Sequence, residues 1–500
     1  MENSVKILAD LRYPVLYAYG QKGNMVVSTE KPEEGTFFQL PNLTAEDFGD
    51  AEFKKTYGLK YALYGGAMAN GIASSDMAIA LGKAGCMGSY GSGGQRLEVV
   101  AQEIDKMKAA LGEKPFLVNM LSNRNADMEM KLAQLLIDKK VLGVEASAYI
   151  VPSDALVYFR VKGIHTDSDG KIIIPHKIIA KVSREEVLEK FVSPPAAQSV
   201  ASLLNAGLIT AEEAALASKI PMVDDITAEA DSGGHTDGRP MVSMLPALIA
   251  LANRKQVEFG YQQKVRVGAG GGVGTGLSCL GAFEMGAAYV VTGSVNQGCV
   301  ESGTSDYVKQ ILAETAMADV TMAPCADMFE MGAKVEVIKK KTMYAQNAQK
   351  LYEYYVKYPS FDAIPAADRD RIEKKILKDS FDNIWAGTRE YFSRVDPGKI
   401  PQAERNPKMK MALVFRWYLG NSSRWAVRGD PNRKFDMQIW CGQSMGAFNL
   451  WVKGTPLEKA ENRHVGEVAN LLLNSCAYHY MKNLLIRMGA APENFCGDIL

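Results

Sequence analysis

Between about residue 60 and residue 295 the chain alternates short β-branched apolar runs with longer stretches in which apolar residues recur every three or four positions. Eight runs are readable: Tyr61–Ala67, Cys86–Gly91, Phe116–Asn119, Val141–Ser147, Ile178–Ser183, Met222–Ala230, Val265–Gly270 and Tyr289–Ser294. Segments such as Phe-Leu-Val-Asn and Tyr-Val-Val-Thr are too short for helices, and their alternation with helical stretches predicts a parallel sheet. Eight β/α units over about 240 residues fit the α/β class as a (β/α)8 TIM barrel better than an open doubly wound sheet. Leu156–Val161 and Lys171–Pro175, on either side of Asp167-Ser-Asp-Gly170, read as a hairpin inserted over residues 156–176.

The pattern changes outside the barrel, which is expected over residues 56–340. Residues 1–55 carry Pro, Gly and scattered aromatics, including Glu33-Glu-Gly-Thr-Phe-Phe-Gln, and read as a small β-rich appendage. Over residues 341–500 the period becomes helical: Ile372, Ile376, Leu377, Phe381, Ile384 and Trp385 share one face, predicting an amphipathic helical extension packed on the barrel.

Composition narrows the function classes. Lys+Arg and Asp+Glu each total 57 in 500 residues, so the net charge of zero offers no global attraction to nucleic acid or to an anionic membrane. The 7 cysteines are odd in number and form no CxxC pair, unlike a disulfide framework or a zinc site, so no metal and a reducing, cytoplasmic setting are expected. Met-Glu-Asn-Ser-Val-Lys at the start has no signal-type apolar core, and the stretch Met241–Ala252 is too short to span a bilayer.

Candidate chemistry lies where strands end, the active face of a barrel. Val265-Arg-Val-Gly-Ala-Gly-Gly-Gly-Val-Gly-Thr-Gly276 ends one apolar run in bare backbone, and Thr292-Gly-Ser294 ends the next. Successive glycine N–H groups can converge on a phosphate, although tight strand-to-helix turns have the same composition. No register reads G-x-G-x-x-G, which disfavours a two-layer dinucleotide fold. Gly65, Gly66 and Ala67 would let a flat ring approach, Asn119 can donate and accept at a heterocycle edge, and Lys181 supplies positive charge where a reduced isoalloxazine is negative. Flavin mononucleotide accounts for both sets. His235, after two glycines, suits proton transfer or carbonyl orientation, with Asp231 and Asp237 as tautomer-fixing neighbours; a structural histidine among turn aspartates is the alternative. Cys299 reads as packing. Lys339-Lys-Lys341 reads as a solvated face, while Arg416, Arg424, Arg428, Arg433 and Lys434 among Trp417, Tyr418 and Trp425 suit a phosphate-bearing ligand or an acidic protein surface.

These residues are familiar in combination. Gly65-Gly-Ala-Met68, Asp231-Ser-Gly-Gly-His-Thr-Asp-Gly-Arg-Pro240, Gly270-Gly-Gly272 and Thr292-Gly-Ser294 resemble the FMN-dependent nitronate monooxygenase/FabK enoyl reductase superfamily. Leu419-Gly-Asn-Ser-Ser-Arg-Trp425 and Trp440-Cys-Gly-Gln-Ser-Met-Gly-Ala-Phe-Asn449, outside the common barrel, are similar to its PfaD branch. Gly238 and Gln443-Ser444 depart from the branch, where Asn and Pro-Ala are expected.

The resemblance implies an FMN- and NADPH-dependent enoyl reductase acting in trans on acyl carrier protein thioesters, within polyunsaturated fatty acid synthases or polyketide synthases. It places Gly65, Gly66, Ala67, Met68, Asn119 and Lys181 at the flavin ring. Gly233, Gly234, Gly270, Gly271, Gly272, Gly293 and Ser294 fall around ribityl and phosphate, and His235 beside the flavin as proton donor. A nitronate-oxidising flavin monooxygenase and a non-catalytic docking subunit are the rival expectations, and a homodimer stays open.

Overall fold

The computed structural model describes residues 6–8, 10, 13–22, 25–123, 125–495 and 498. The chain divides into two units: Met1–Asp231 with Asp237–Gly303 and Leu450–Leu500, and Ser232–Thr236 with Thr304–Asn449.

In the first unit, β1 (Val15–Tyr19), β2 (Val26–Ser28) and β3 (Phe37–Pro41) form an antiparallel sheet in the order β2-β1-β3. Alternation aims Leu16 and Ala18 inward, where with Val27 they pack on Tyr478, Met481 and Leu485 of the helix Val465–Met488. The expected single extension over residues 341–500 is therefore corrected: its last part, Leu450–Leu500, belongs to the barrel unit.

The barrel strands are β4 (Leu63–Gly65), β5 (Met87–Tyr90), β6 (Leu117–Leu121) and β7 (Gly143–Ser147), followed after the short pair β8 (His165–Thr166) and β9 (Ile172–Ile173) by β10 (Lys177–Val182) and β11 (Asp225–Glu229). After β12 (Gly234–His235), which belongs to the other unit, come β13 (Arg266–Gly270) and β14 (Val290–Thr292). The eight barrel strands are parallel and close in chain order, β14 pairing with β4, a (β/α)8 barrel. The insertion expected over residues 156–176 is corrected as well. Leu156–Val161 lies in the helix Asp154–Val161, started by Ser153, whose hydroxyl accepts from the Leu156 N–H at 3.2 Å. All-round burial of that helix mimics a strand's apolar run, and only β8 and β9, joined through Asp167–Gly170, form the hairpin.

The bottom of the barrel is closed by the helix Ala51–Tyr57, capped by Asp50, with Phe53 and Tyr57 buried. Phe53 stacks on Tyr289 at 4.2 Å, and the Tyr57 hydroxyl donates to Asp225 at 2.7 Å. Asp225 and Arg266, the first residues of β11 and β13, pair at 2.6 Å inside the protein. One layer up, Thr227 bridges the Tyr64 and Tyr289 hydroxyls at 3.0 Å each.

The second unit is not purely helical and starts earlier than residue 341. β15 (Val320–Pro324) and β16 (Lys334–Ile338) form an antiparallel sheet with β12 in the order β12-β16-β15. Helices Tyr344–Lys357, Phe381–Val395 and Pro407–Arg428 contribute to a core that includes Phe329, Tyr344, Leu351, Phe415 and Tyr418. The apolar face from Ile372 to Trp385 is buried but spans two elements: a π-turned segment, Ile372–Leu377, ends at Lys378 with φ 57°, and Ser380 caps the next helix.

Among the described residues no helix is long and apolar enough to cross a membrane. Their six cysteines are free and buried; Cys496 lies outside the described residues.

Asp225→Ala leaves the Arg266 guanidinium buried without its counter-charge and should cost about 3–5 kcal/mol in urea-induced unfolding. A loss below about 1 kcal/mol would remove the pair as the lock on the barrel floor.

Candidate functional site

Strand alternation carries the barrel interior from aromatic at the floor to polar at the C-terminal mouth. Two residues beyond buried Leu117 and Ile179 come Asn119 and Lys181, and two beyond Thr227 comes Glu229. Register sets Asn119 beside Glu145 of β7. The Asn119 amide donates to the Glu145 carbonyl at 2.9 Å and to the Ser147 hydroxyl at 3.0 Å, leaving its Oδ1 for a ligand.

Lys181 Nζ lies 2.7 Å from Glu229 Oε1 and 3.8 Å from Glu145 Oε1. Burial disfavours its charge, but the two carboxylates outweigh that and raise its pKa. Glu145 is fully buried: Oε2 accepts the Ala67 N–H at 2.8 Å, and Oε1 has no hydrogen-bond partner among the described residues. Burial pushes its carboxyl up, against the pull of Lys181. Sequence reasoning did not single out Glu145 or Glu229; a carboxylate inside the apolar run Val141–Ser147 was the available signal.

Gly65 ends β4, and Gly66, Ala67 and Met68 follow it on the same rim. β13 and β14 are adjacent, so Gly270–Gly272 and Gly293–Ser294 leave neighbouring strand ends. Gly271 is packed tight, since a Cβ there would lie 2.6 Å from the Ala230 carbonyl oxygen; at Gly272 (φ 74°) and Gly293 a Cβ would meet nothing within 4 Å. Open space over bare backbone, with orphaned buried oxygens at Glu145 Oε1 and Thr292 Oγ1, fits a flat heterocycle carrying a phosphate.

Gly233, Gly234 and His235 belong to the second unit. A Cβ on Gly233 would lie 2.7 Å from the Cys441 backbone, so close packing accounts for that glycine without a phosphate. His235 Nε2 lies 3.2 and 3.1 Å from the two carboxylate oxygens of Asp327. Partial desolvation opposes its charge, yet the Asp327 carboxylate with Cys325 beside it raises His235 to about 10, while the imidazolium holds Asp327 well below the usual carboxylate range. The orienting partner is thus Asp327, 92 positions away; Asp237 instead accepts from Ser183 at 2.5 Å and from Arg184 at 2.9 and 2.8 Å.

The two C-terminal motifs pack the second unit. Ser422 in the helix Pro407–Arg428 returns its carbonyl to the Gln438 N–H at 3.1 Å, a Cβ on Gly446 would strike Met317, and Asn449 donates to the Leu312 and Thr315 carbonyls at 2.8 and 2.7 Å. The basic stretch divides. Arg416 pairs with Glu330 at 3.0 Å, and Arg433 stacks 4.3 Å from the Trp425 ring while donating to the Ile376 and Leu377 carbonyls. Arg424, Arg428 and Lys434 stay exposed, Lys434 lying over Tyr307.

A parallel barrel with charged and polar groups gathered at its C-terminal rim has the arrangement of a barrel enzyme's active face. The chain belongs to the nitronate monooxygenase family, whose model matches residues 52–388. A second model, the inserted helical domain of [acyl-carrier-protein] S-malonyltransferase, matches residues 358–437. One polyunsaturated fatty acid synthase polypeptide of a Thraustochytrium species is 46% identical over 420 residues, 83% of this chain and 28% of that protein. Polyketide biosynthesis protein PksE of Bacillus subtilis is 41% identical over 461 residues, 92% of this chain and 60% of that protein. The chain therefore spans less than two thirds of either relative. The crystal structure of the enoyl reductase domain of MlnA, from the macrolactin cluster of Bacillus amyloliquefaciens, superposes with a TM-score of 0.83 at 38% identity, covering 89% of this chain and 99% of that one.

Because the folded Glu145 pKa is raised, stability from its neutral form is present below the unfolded pKa of about 4.3 and is lost as pH rises through the folded value. Urea unfolding of Glu145→Gln at several pH values should therefore move in the variant's favour as pH rises. A pH-independent difference would mean that Glu145 is not the strained carboxyl.

Proposed function

We propose that the protein is an enoyl-[acyl-carrier-protein] reductase using NADPH and FMN, serving in trans a synthase of the polyketide or polyunsaturated fatty acid kind. The observation that carries this is the likeness to the MlnA enoyl reductase domain, which extends over 99% of that domain and 89% of this chain. FMN, when bound, supplies a hydride drawn from NADPH. Asn119, Lys181 and the rim Gly65–Met68 would hold its ring; Gly270, Gly271, Gly272, Gly293 and Ser294 would hold its phosphate. Lys181, kept charged by Glu145 and Glu229, supplies the fixed positive charge that favours a reduced, anionic ring. His235, whose Nε2–H is held by the Asp327 carboxylate, would deliver from its other ring nitrogen, Nδ1, the proton that Cα of an α,β-unsaturated thioester needs once Cβ has accepted hydride.

The deciding experiment is anaerobic and spectroscopic. NADPH should bleach the yellow protein, and a crotonyl thioester on a carrier protein should restore the colour. Nitronate oxidation, favoured by the family model over residues 52–388, predicts instead oxygen uptake with an alkyl nitronate and no need for NADPH. His235→Ala should keep its flavin and lose about 10²–10⁴-fold in enoyl reduction, the usual contribution of a positioned acid; full retained activity would take His235 out of the reaction.

Arg424 and Arg428, one helical turn apart on an exposed face within residues 358–437, are the carrier-protein contact in this scheme. Reversing both to Glu should raise KM about tenfold for the carrier-bound substrate and leave a small thioester mimic unaffected. Equal effects on both substrates would count against such a contact.

A further inference from the structure

Cys325, Asp327 and His235 meet through strand periodicity. The β12-β16-β15 register sets His235 opposite Val335 and Val335 opposite Ala323, so the three share one face of the sheet. The alternation continues past Pro324, with the Cys325 N–H still bonded to the Ala333 carbonyl at 3.0 Å, and brings Cys325 back to that face. The following turn presents the Asp327 carboxylate to His235 Nε2 at 3.1 Å. One ligand atom from each of the three residues lies within 4.8 Å of the others.

Zinc bonds of about 2.0–2.3 Å in a tetrahedron imply ligand separations of roughly 3.3–3.8 Å. The His235–Asp327 edge is already near that range, and closing the sulfur edges needs a movement of about an ångström. Imidazole, thiolate and carboxylate together suit a borderline-soft divalent ion; Ca²⁺ and Mg²⁺ need more oxygens than the cluster supplies. Cys325 is 1% exposed, whereas the His235 and Asp327 side chains are 49% and 59% exposed. The cluster thus has a buried sulfur floor and an open side from which an ion could enter, leaving a fourth position for water.

We propose that His235 Nε2, Cys325 Sγ and the Asp327 carboxylate form a three-ligand binding site for a zinc-class divalent cation. Binding makes three metal–ligand bonds and releases two protons, one from the imidazolium and one from the thiol, so the charge of the cluster is unchanged. The sequence expectation of no metal rested on CxxC-type spacing, which a site assembled from ligands about 90 positions apart does not have. On the reductase reading, a cation on Nε2 would displace the proton held by Asp327, remove the imidazolium that serves as the acid and inhibit the enzyme; the site itself does not depend on that reading.

The test uses the full chain, stripped with EDTA and dialysed against Zn²⁺ alone, followed by Zn K-edge absorption spectroscopy, to which a flavin is invisible. The expected result is one Zn²⁺ per chain with a single sulfur neighbour near about 2.3 Å and lighter neighbours near about 2.0 Å. Cys325→Ser should lose the sulfur neighbour, and Asp327→Ala, a half-exposed change that should not unfold the protein, should weaken Zn²⁺ at least about tenfold. Circular dichroism checks that both variants are folded. Zinc held without a sulfur neighbour, or held equally by the parent and folded Asp327→Ala, would overturn the proposal.

Discussion

Lys181 is the charge on which the barrel mouth depends. Removing an ion from water costs several kcal/mol, and here Glu145 is wholly buried with Glu229 close by. A single ammonium on the intervening strand, at 2.7 and 3.8 Å from the two acids, makes their burial tolerable. It thereby fixes the tops of β7, β10 and β11 at one level, and through Glu145 it fixes the Ala67 N–H on β4's rim. Asn119, tied to the Glu145 carbonyl, shares that level. The mouth is polar because its charges are paired with one another before any ligand arrives, which is what preorganisation requires.

How much of this was legible follows from the range of each signal. Eight β-branched runs at regular spacing are a local pattern, and all eight became barrel strands in chain order. The glycine clusters were legible as bare backbone, but not for the reason each was bare. Gly272 and Gly293 face open space, while Gly233 is glycine because Cys441 leaves no room, and composition cannot separate the two causes. Leu156–Val161 was misread because a helix buried on every side loses its period, and only the Ser153 cap distinguishes it from a strand. Lys181 and Asn119 stood out as polar ends of apolar runs; Glu145, in the middle of one, did not.

The partner of His235 was beyond any local signal. Asp231 and Asp237 are its neighbours in sequence, whereas Asp327 reaches it only because β12 and β15 flank the same strand. A short polar-apolar alternation, Lys-Val-Glu-Val, was present at Lys334–Val337, but it lay beyond the eighth barrel strand, where the helical character of later residues dominated. The two C-terminal motifs had the opposite history: conspicuous in the sequence, they turn out to hold helices and loops together through Ser422, Gly446 and Asn449.

The placement of His235 has a mechanical meaning. Barrel enzymes usually carry reactive residues on βα loops, whose freedom lets function vary. Here the segment after β11 leaves the barrel unit at Asp231, serves as strand β12 of a second sheet, and returns at Asp237. A histidine held by a ladder to Lys334–Ile338, with a carboxylate on its ring nitrogen, has fewer rotamers and less backbone freedom than one on an open loop. The second unit thus positions His235 directly, and residues 304–449 contribute to that placement whether or not they also meet a carrier protein.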